Sequence, residues 1–216
     1  MNRHPIELLI EKADSAINQS DRQKVSLLNV MRVLAISGSL RAASHNTTLL
    51  RAVARIAPPS IDVVLYQGIG DLPLFNPDVE STPPQSVVDL RNQIMTADAL
   101  LIASPEYAHG VTGAIKNALD WMVGNESFVH KPVGLLNASP RATHAYAALR
   151  ETVTVMSACI IDEASITVPL LGSHLDEDGI VQHAEISAAL LGVLESLKAA
   201  VEFKESTENS VFNIRG

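Results

Sequence analysis

The chain has 216 residues, 47% of them hydrophobic, which is enough for one sizeable core and one domain. A formal net charge of −8 and an aromatic content of 4% argue against a phosphate-backbone binder or a base-stacking platform, so no nucleic-acid partner is expected. Cys159 is the sole cysteine, no apolar run reaches the roughly 18 residues of a membrane span, and no basic-then-apolar leader opens the chain, so the expectation is a cytoplasmic protein without disulfides or a membrane contact.

Residues 1–30 are read as an N-terminal extension. Ile6, Leu9, Ile10, Ala13 and Ile17 recur at helical spacing, followed by a polar linker, NQSDRQK. From Arg32 onward, short apolar runs alternate with helical periodicity. RVLAIS (32–37) reads as a buried strand. TTLLRAVARIA (47–57) places Leu49, Leu50, Val53, Ala54 and Ala57 on one helical face, and Pro58 and Pro59 end it. DVVLYQ (62–67) is strand-like, the Gly- and Pro-rich 68–85 is a loop, and SVVDLRNQIMTA (86–97) is helical.

ALLIAS (99–104) is the third strand. The helix at 112–123 carries Ile115, Ala118, Leu119 and Met122 on one face. PVGLLNA (132–138) is the fourth strand, 145–158 a helix, ASITVPL (164–170) the fifth strand, and 184–203 the last helix. Residues 31–204 thus form the domain and 205–216 a polar tail in which Val211, Phe212 and Ile214 are candidates for docking on a neighbour. Strands alternating with helices indicate an α/β fold with a parallel sheet, and five strands suit the doubly wound, flavodoxin-like order 2-1-3-4-5.

In that order ligands sit beyond the carboxyl ends of strands one and three. The polar loops after strands one (37–47), three (104–113) and four (137–144) converge there. The first, ISGSLRAASHN, offers the hydroxyls of Ser37, Ser39, Ser44 and Thr47, the Asn46 amide and Arg41. A helix N-terminus and an arginine fork are suited to phosphate oxygens. Helix capping alone accounts for one hydroxyl of the set. The loop is neither a Walker loop nor the G-x-G-x-x-G fingerprint, so a mononucleotide such as FMN fits better than ATP or a Rossmann-bound dinucleotide.

ISGSLRAASHN together with SPEYAHGVTGAIKNALDW (104–121) resembles the NAD(P)H-dependent FMN reductases, which include quinone, chromate and azo-dye reductases. The resemblance covers residues 32–170. It implies an enzyme in which bound FMN takes a hydride from NADPH or NADH and reduces a small acceptor such as free flavin, a quinone or another oxidant. The flavin carries the chemistry, so no catalytic side chain is assigned. Ser39, Arg41, Ser44, Asn46 and Thr47 are implied to hold the phosphate, and Pro105, Glu106, Tyr107, Ala108, His109 and Gly110 to line the ring. Ser139 and Arg141 of NASPRATHA are implied to lie in the ring segment. A homodimer or homotetramer is implied as well. The alternative is a flavodoxin-type electron carrier that does not oxidise NAD(P)H.

Three positions depart from the family pattern: Ala108 stands for an asparagine, Thr112 for a proline, and Arg141 for a glycine. Lys116, Asn117 and Asp120 are expected to tie down a loop or meet a second subunit, and Trp121 to lie in the core or an interface. HLDED (174–178) lacks the spacing of a calcium loop and reads as a solvated loop, and no metal site is assigned.

Overall fold

Along strand β1 (Met31–Ser37) alternate side chains enter opposite cores: Val33 and Ala35 one, Leu34 and Ile36 the other. A parallel strand covered on both faces by helices has this character. The computed structural model describes residues 30–214, with side chains described through 207. The helical face expected at 6–17 and the linker at 18–24 lie outside the described residues.

After β1 come helix α1 (His45–Ile56), strand β2 (Ile61–Leu65), helix α2 (Gln85–Thr96) and strand β3 (Ala99–Ala103). A two-stranded antiparallel hairpin follows, β4 (Glu106–Tyr107) and β5 (Gly110–Val111). Then come helix α3 (Gly113–Asp120), strand β6 (Pro132–Leu136), helix α4 (Thr143–Val155), strand β7 (Cys159–Ile160), helix α5 (Glu177–Gln182) and helix α6 (Ala184–Ile214). Among the described residues the main sheet is five-stranded, ordered β2-β1-β3-β6-β7, with every pair parallel. Counted along the main sheet, this is the expected order 2-1-3-4-5 of a flavodoxin-like α/β fold.

One core is formed by α1, α5 and α6 through Leu49, Leu50, Val53, Ile180, Leu190, Leu194 and Leu197. The other is formed by α2, α3 and α4 through Leu90, Ile94, Ile115, Leu119, Leu149 and Val153. Strand β3, central and fully buried, separates them. The loops after β1, β3 and β6 therefore leave the sheet from its interior strands.

The fifth strand departs from the expected 164–170. Its pairing begins at Cys159, opposite Pro132, and is interrupted by a 3-10 turn at Asp162–Ala164. Pairing resumes where Thr167 bridges Asn137. Ser165 carries the ladder across the gap: its hydroxyl accepts the Leu135 N–H at 3.1 Å and donates to the Ile161 carbonyl at 2.8 Å. Gly134 gives the turn room, since a Cβ there would lie 2.8 Å from the Ala164 carbonyl oxygen.

Two other differences have local causes. The acidic stretch read as a solvated loop starts α5: Asp176 caps it by accepting the Gly179 N–H at 2.8 Å. Glu177 and Asp178 sit in the first turn, where the helix dipole favours anions, and both meet Arg55, at 3.3 and 2.5 Å. Helix α6 also continues to Ile214 through the segment read as a tail; 205–214 holds neither glycine nor proline, so nothing in it breaks a helix. The side chains of Val211, Phe212 and Ile214 lie outside the described residues.

Candidate active site

The loop after β1 is held by its own hydroxyls. Ser44 is the N-cap of α1 and accepts the Thr47 N–H at 3.3 Å. Ser37 and Thr47 share a hydroxyl–hydroxyl hydrogen bond of 2.7 Å. The Ser37 hydroxyl also accepts the Ser39 N–H at 3.3 Å, and the Ser39 hydroxyl accepts the Arg41 N–H at 3.3 Å. The turn projects Arg41 outward, exposed and without a carboxylate partner among the described residues.

The loop after β3 is anchored to the first. Gly38 N–H extends the sheet by donating to the Ala103 carbonyl at 2.8 Å. Thr112, buried, donates its hydroxyl to the Gly38 carbonyl at 2.5 Å and accepts the Ile115 N–H at 3.3 Å as the N-cap of α3. Between these points the chain makes the β4–β5 hairpin. Its two central residues, Ala108 and His109, have φ of 49° and 60°, the left-handed pair that a two-residue hairpin turn requires.

Glu106 is committed to structure. One carboxylate oxygen accepts the Ala145 N–H at 2.9 Å, and the other lies 3.1 Å from His109 Nδ1. Helix α4 has Ala142 at its N-cap position and no side-chain cap of its own, so Glu106 supplies the missing acceptor. The Ala145 N–H, with help from His109 and the His144 N–H, holds the carboxyl below its ordinary value, against the opposing effect of burial. The rings of His109 and His144 pack edge to face at 4.5 Å outside this contact.

The loop after β6 repeats the construction of the first. Asn137 Oδ1 accepts the Ser139 N–H at 3.0 Å, and the Ser139 hydroxyl accepts the Arg141 N–H at 3.3 Å. Arg141 is exposed.

These loops enclose an open cleft of about 280 Å³. Nine of the expected site residues line it: Ser39, Arg41, Ser44, Asn46, Pro105, Glu106, Tyr107, Ser139 and Arg141. Thr47 does not, because its hydroxyl is turned to Ser37. Ala108, His109 and Gly110 form the hairpin tip beyond the lining. The sequence reading missed His45, Asn137 and Leu171, which also line the cleft. His45 and Asn137 lay within the polar segments already singled out; Leu171, beyond the fifth strand, carried no signal. Asn46 is 6% exposed, and its Oδ1 has no hydrogen-bond partner among the described residues. A buried acceptor left unpaired at a cleft is costly unless a ligand completes it.

The residues outside the cleft have structural tasks. Asn117 accepts the Phe75 N–H at 2.8 Å and donates to the Pro73 carbonyl at 3.0 Å. Trp121, fully buried, donates to the same carbonyl at 2.8 Å and packs edge-on against Phe75. Lys116 pairs with Asp120 one helical turn on.

A family model described as NADPH-dependent FMN reductase matches residues 31–170. An NAD(P)H-dependent FMN reductase of Pseudomonas aeruginosa is 34% identical over 155 residues, 69% of this chain and 83% of the relative. A probable NADPH:quinone oxidoreductase of Oryza sativa subsp. japonica is 34% identical over 180 residues, 79% of this chain and 91% of the relative. Among solved structures, the flavoenzyme FerB, an NAD(P)H:(acceptor) oxidoreductase of Paracoccus denitrificans, superimposes with a TM-score of 0.68 at 29% identity. The superposition covers 80% of this chain and 98% of that one.

Proposed function

Since the chain belongs to the NADPH-dependent FMN reductase family, we propose that the cleft between the loops after β1, β3 and β6 holds its FMN, and that a quinone is the acceptor it reduces. The protein is an FMN-dependent NAD(P)H oxidoreductase. The redox chemistry is that of FMN, reduced by NAD(P)H and reoxidised by a small acceptor; the protein binds, orients and tunes.

One observation carries the assignment of the cleft. At the strand-order switch point, an arginine without a carboxylate partner among the described residues and the N-terminus of α1 meet at one cleft. The residues fit a phosphorylated ligand. Arg41 and the free N–H groups at the start of α1 are donors for a phosphate. Ser44 and Ser37 are occupied with the chain itself, so their part is to hold the turn that presents Arg41. Thr47 acts the same way, through Ser37. Pro105 and Tyr107 add ring surface to the lining of the cleft, suited to an isoalloxazine ring. Glu106 fixes the hairpin against α4 rather than moving a proton.

The quinone acceptor is supported by the rice relative's name and by apolar surface at the cleft: Tyr107 and Leu171, both lining it, are 58% and 54% exposed. A homodimer or homotetramer belongs to the same reading. It would cover these side chains and Leu40, 66% exposed beside Arg41. No helix among the described residues is long and apolar enough to cross a membrane. A cytoplasmic setting, where NAD(P)H is supplied, completes the proposal.

Anaerobic titration of the FMN-loaded protein with NADPH and with NADH tests it, followed by addition of a quinone. Bleaching of the flavin absorption by a nicotinamide and its return on adding quinone is the expected result. Bleaching without return on quinone would remove the acceptor assignment.

A further inference from the structure

The two arginine-bearing loops of the cleft are built alike. In each, a polar side chain at a strand end accepts the N–H two residues on, and the serine there accepts the N–H two residues further, that of the arginine. The first series is Ser37, Ser39, Arg41, at 3.3 and 3.3 Å; the second is Asn137, Ser139, Arg141, at 3.0 and 3.3 Å. Both serines and both arginines line the same cleft. Both arginines are exposed, and neither guanidinium has a carboxylate partner among the described residues.

Acidic residues outnumber Lys and Arg, 24 to 16, and Arg55 and Arg150 both find carboxylates. The carboxylate of the cleft, Glu106, is held by the Ala145 N–H and His109. Two arginines facing one concave surface create a local positive potential in a negative molecule. One arginine fork already gives a phosphate monoester a bidentate, charge-assisted contact, so the second arginine is free for another anion.

We propose that Arg141, presented by the Ser139 turn, is a second anion subsite that takes a phosphate group of the nicotinamide dinucleotide, while Arg41 takes the phosphate of FMN. The inference rests on the proposed FMN site. Two phosphate-bearing molecules meeting in one cleft would each have a guanidinium to anchor them, Arg41 at the exit of β1 and Arg141 at the exit of β6. The phosphate has two sources, the pyrophosphate common to both dinucleotides and the 2′-phosphate of NADPH alone.

Equilibrium binding of NADP⁺ and of NAD⁺ to the FMN-loaded, oxidised protein tests the subsite without turnover, alongside the dissociation constant of FMN itself. Wild type is compared with Arg141→Gln and Arg141→Lys. The loss of a forked, charge-assisted contact predicts a weakening of NADP⁺ binding by about tenfold or more in Arg141→Gln, with partial recovery in Arg141→Lys, which keeps the charge and loses the fork. FMN affinity falls by less than dinucleotide affinity does, because Arg41 keeps the FMN phosphate. Equal weakening of NAD⁺ assigns the pyrophosphate; weakening of NADP⁺ alone assigns the 2′-phosphate. Unchanged dinucleotide binding overturns the inference, as does a loss confined to FMN. A wild-type protein that binds no FMN would instead remove the underlying reading of the cleft.

Discussion

The Thr112 hydroxyl donates to the Gly38 carbonyl at 2.5 Å, joining the exits of β1 and β3 across 74 residues of sequence. Gly38 also lets the exit of β3 close in: a Cβ there would lie 2.3 Å from Ser104 Oγ and 2.7 Å from Ser104 Cβ. The proline that the family pattern has at 112 offers no hydroxyl for this bond. The departure from pattern at 112 thus adds a cross-link beneath the proposed cofactor site and caps α3 at the same time.

Thr112→Val removes both hydrogen bonds of a buried group and leaves the Gly38 carbonyl without this donor. Unfolding in urea should show a loss of about 1–3 kcal/mol, with Thr112→Ser restoring most of it. Thr112→Pro separates hydroxyl from backbone, because φ at this position is −67° and suits proline. Proline there also restricts the unfolded chain, so only a Thr112→Pro variant more stable than wild type, together with an unchanged Thr112→Val, would show that the cross-link contributes nothing.

Arg41→Ala addresses the anion site directly. Arg41 is exposed, and its guanidinium has no carboxylate partner among the described residues, so its removal should leave stability nearly unchanged. The dissociation constant of FMN should rise about tenfold or more, as loss of a charge-assisted contact predicts. Riboflavin, which lacks the phosphate, should bind wild type and variant alike. Fluorescence quenching measures both ligands, and an equal effect on the two would take the phosphate away from Arg41.

The sheet order and most of the cleft were legible in the sequence because they rest on strong local signals. Apolar runs such as ALLIA are buried on both faces, and ISGSLRAASHN and SPEY concentrate polar groups at strand exits. What escaped depends on partners distant in the chain. The edge strand shifted to Cys159–Ile160 because Ser165 substitutes for a strand backbone, which needs Leu135 and Ile161 to be in place. Thr47 reads as a ligand hydroxyl by position, yet Ser37 claims it. The acids at 176–178 read as solvated until Arg55, on another helix, is brought beside them. The β4–β5 hairpin has Ala-His at its tip, not the Asn-Gly that signals such a turn.

Glu106 makes stability depend on pH in a stated direction. Its carboxyl is held below its ordinary value of 4.5, chiefly by the Ala145 N–H and then by His109. A group depressed in the folded state contributes stability that is present above the unfolded value and lost as pH falls through the folded one. Glu106→Gln keeps an acceptor for the α4 N-terminus but has no charge to lose. The urea midpoint of wild type should exceed that of the variant near neutral pH, and the gap should close below about pH 4.5, where a free glutamate protonates. Parallel midpoints from neutral pH down to pH 3 would show that the carboxylate charge does not support α4.

The hairpin tip holds strain that a single substitution relieves. Ala108 and His109 both adopt positive φ, 49° and 60°, where a Cβ crowds the following carbonyl at a cost of roughly 1–2 kcal/mol per residue. Asparagine tolerates this region better than alanine and does not carry the unfolded-state entropy of glycine. Ala108→Asn should therefore stabilise the protein by about 0.5–1 kcal/mol, read as a higher urea midpoint at unchanged slope. The tip lies outside the cleft lining, so FMN affinity should hold at the wild-type value. A tip that relaxes to negative φ in solution would show no gain, and Ala108→Pro, locked near φ −65°, would then be tolerated; with the left-handed turn it should instead lose more than Ala108→Asn gains.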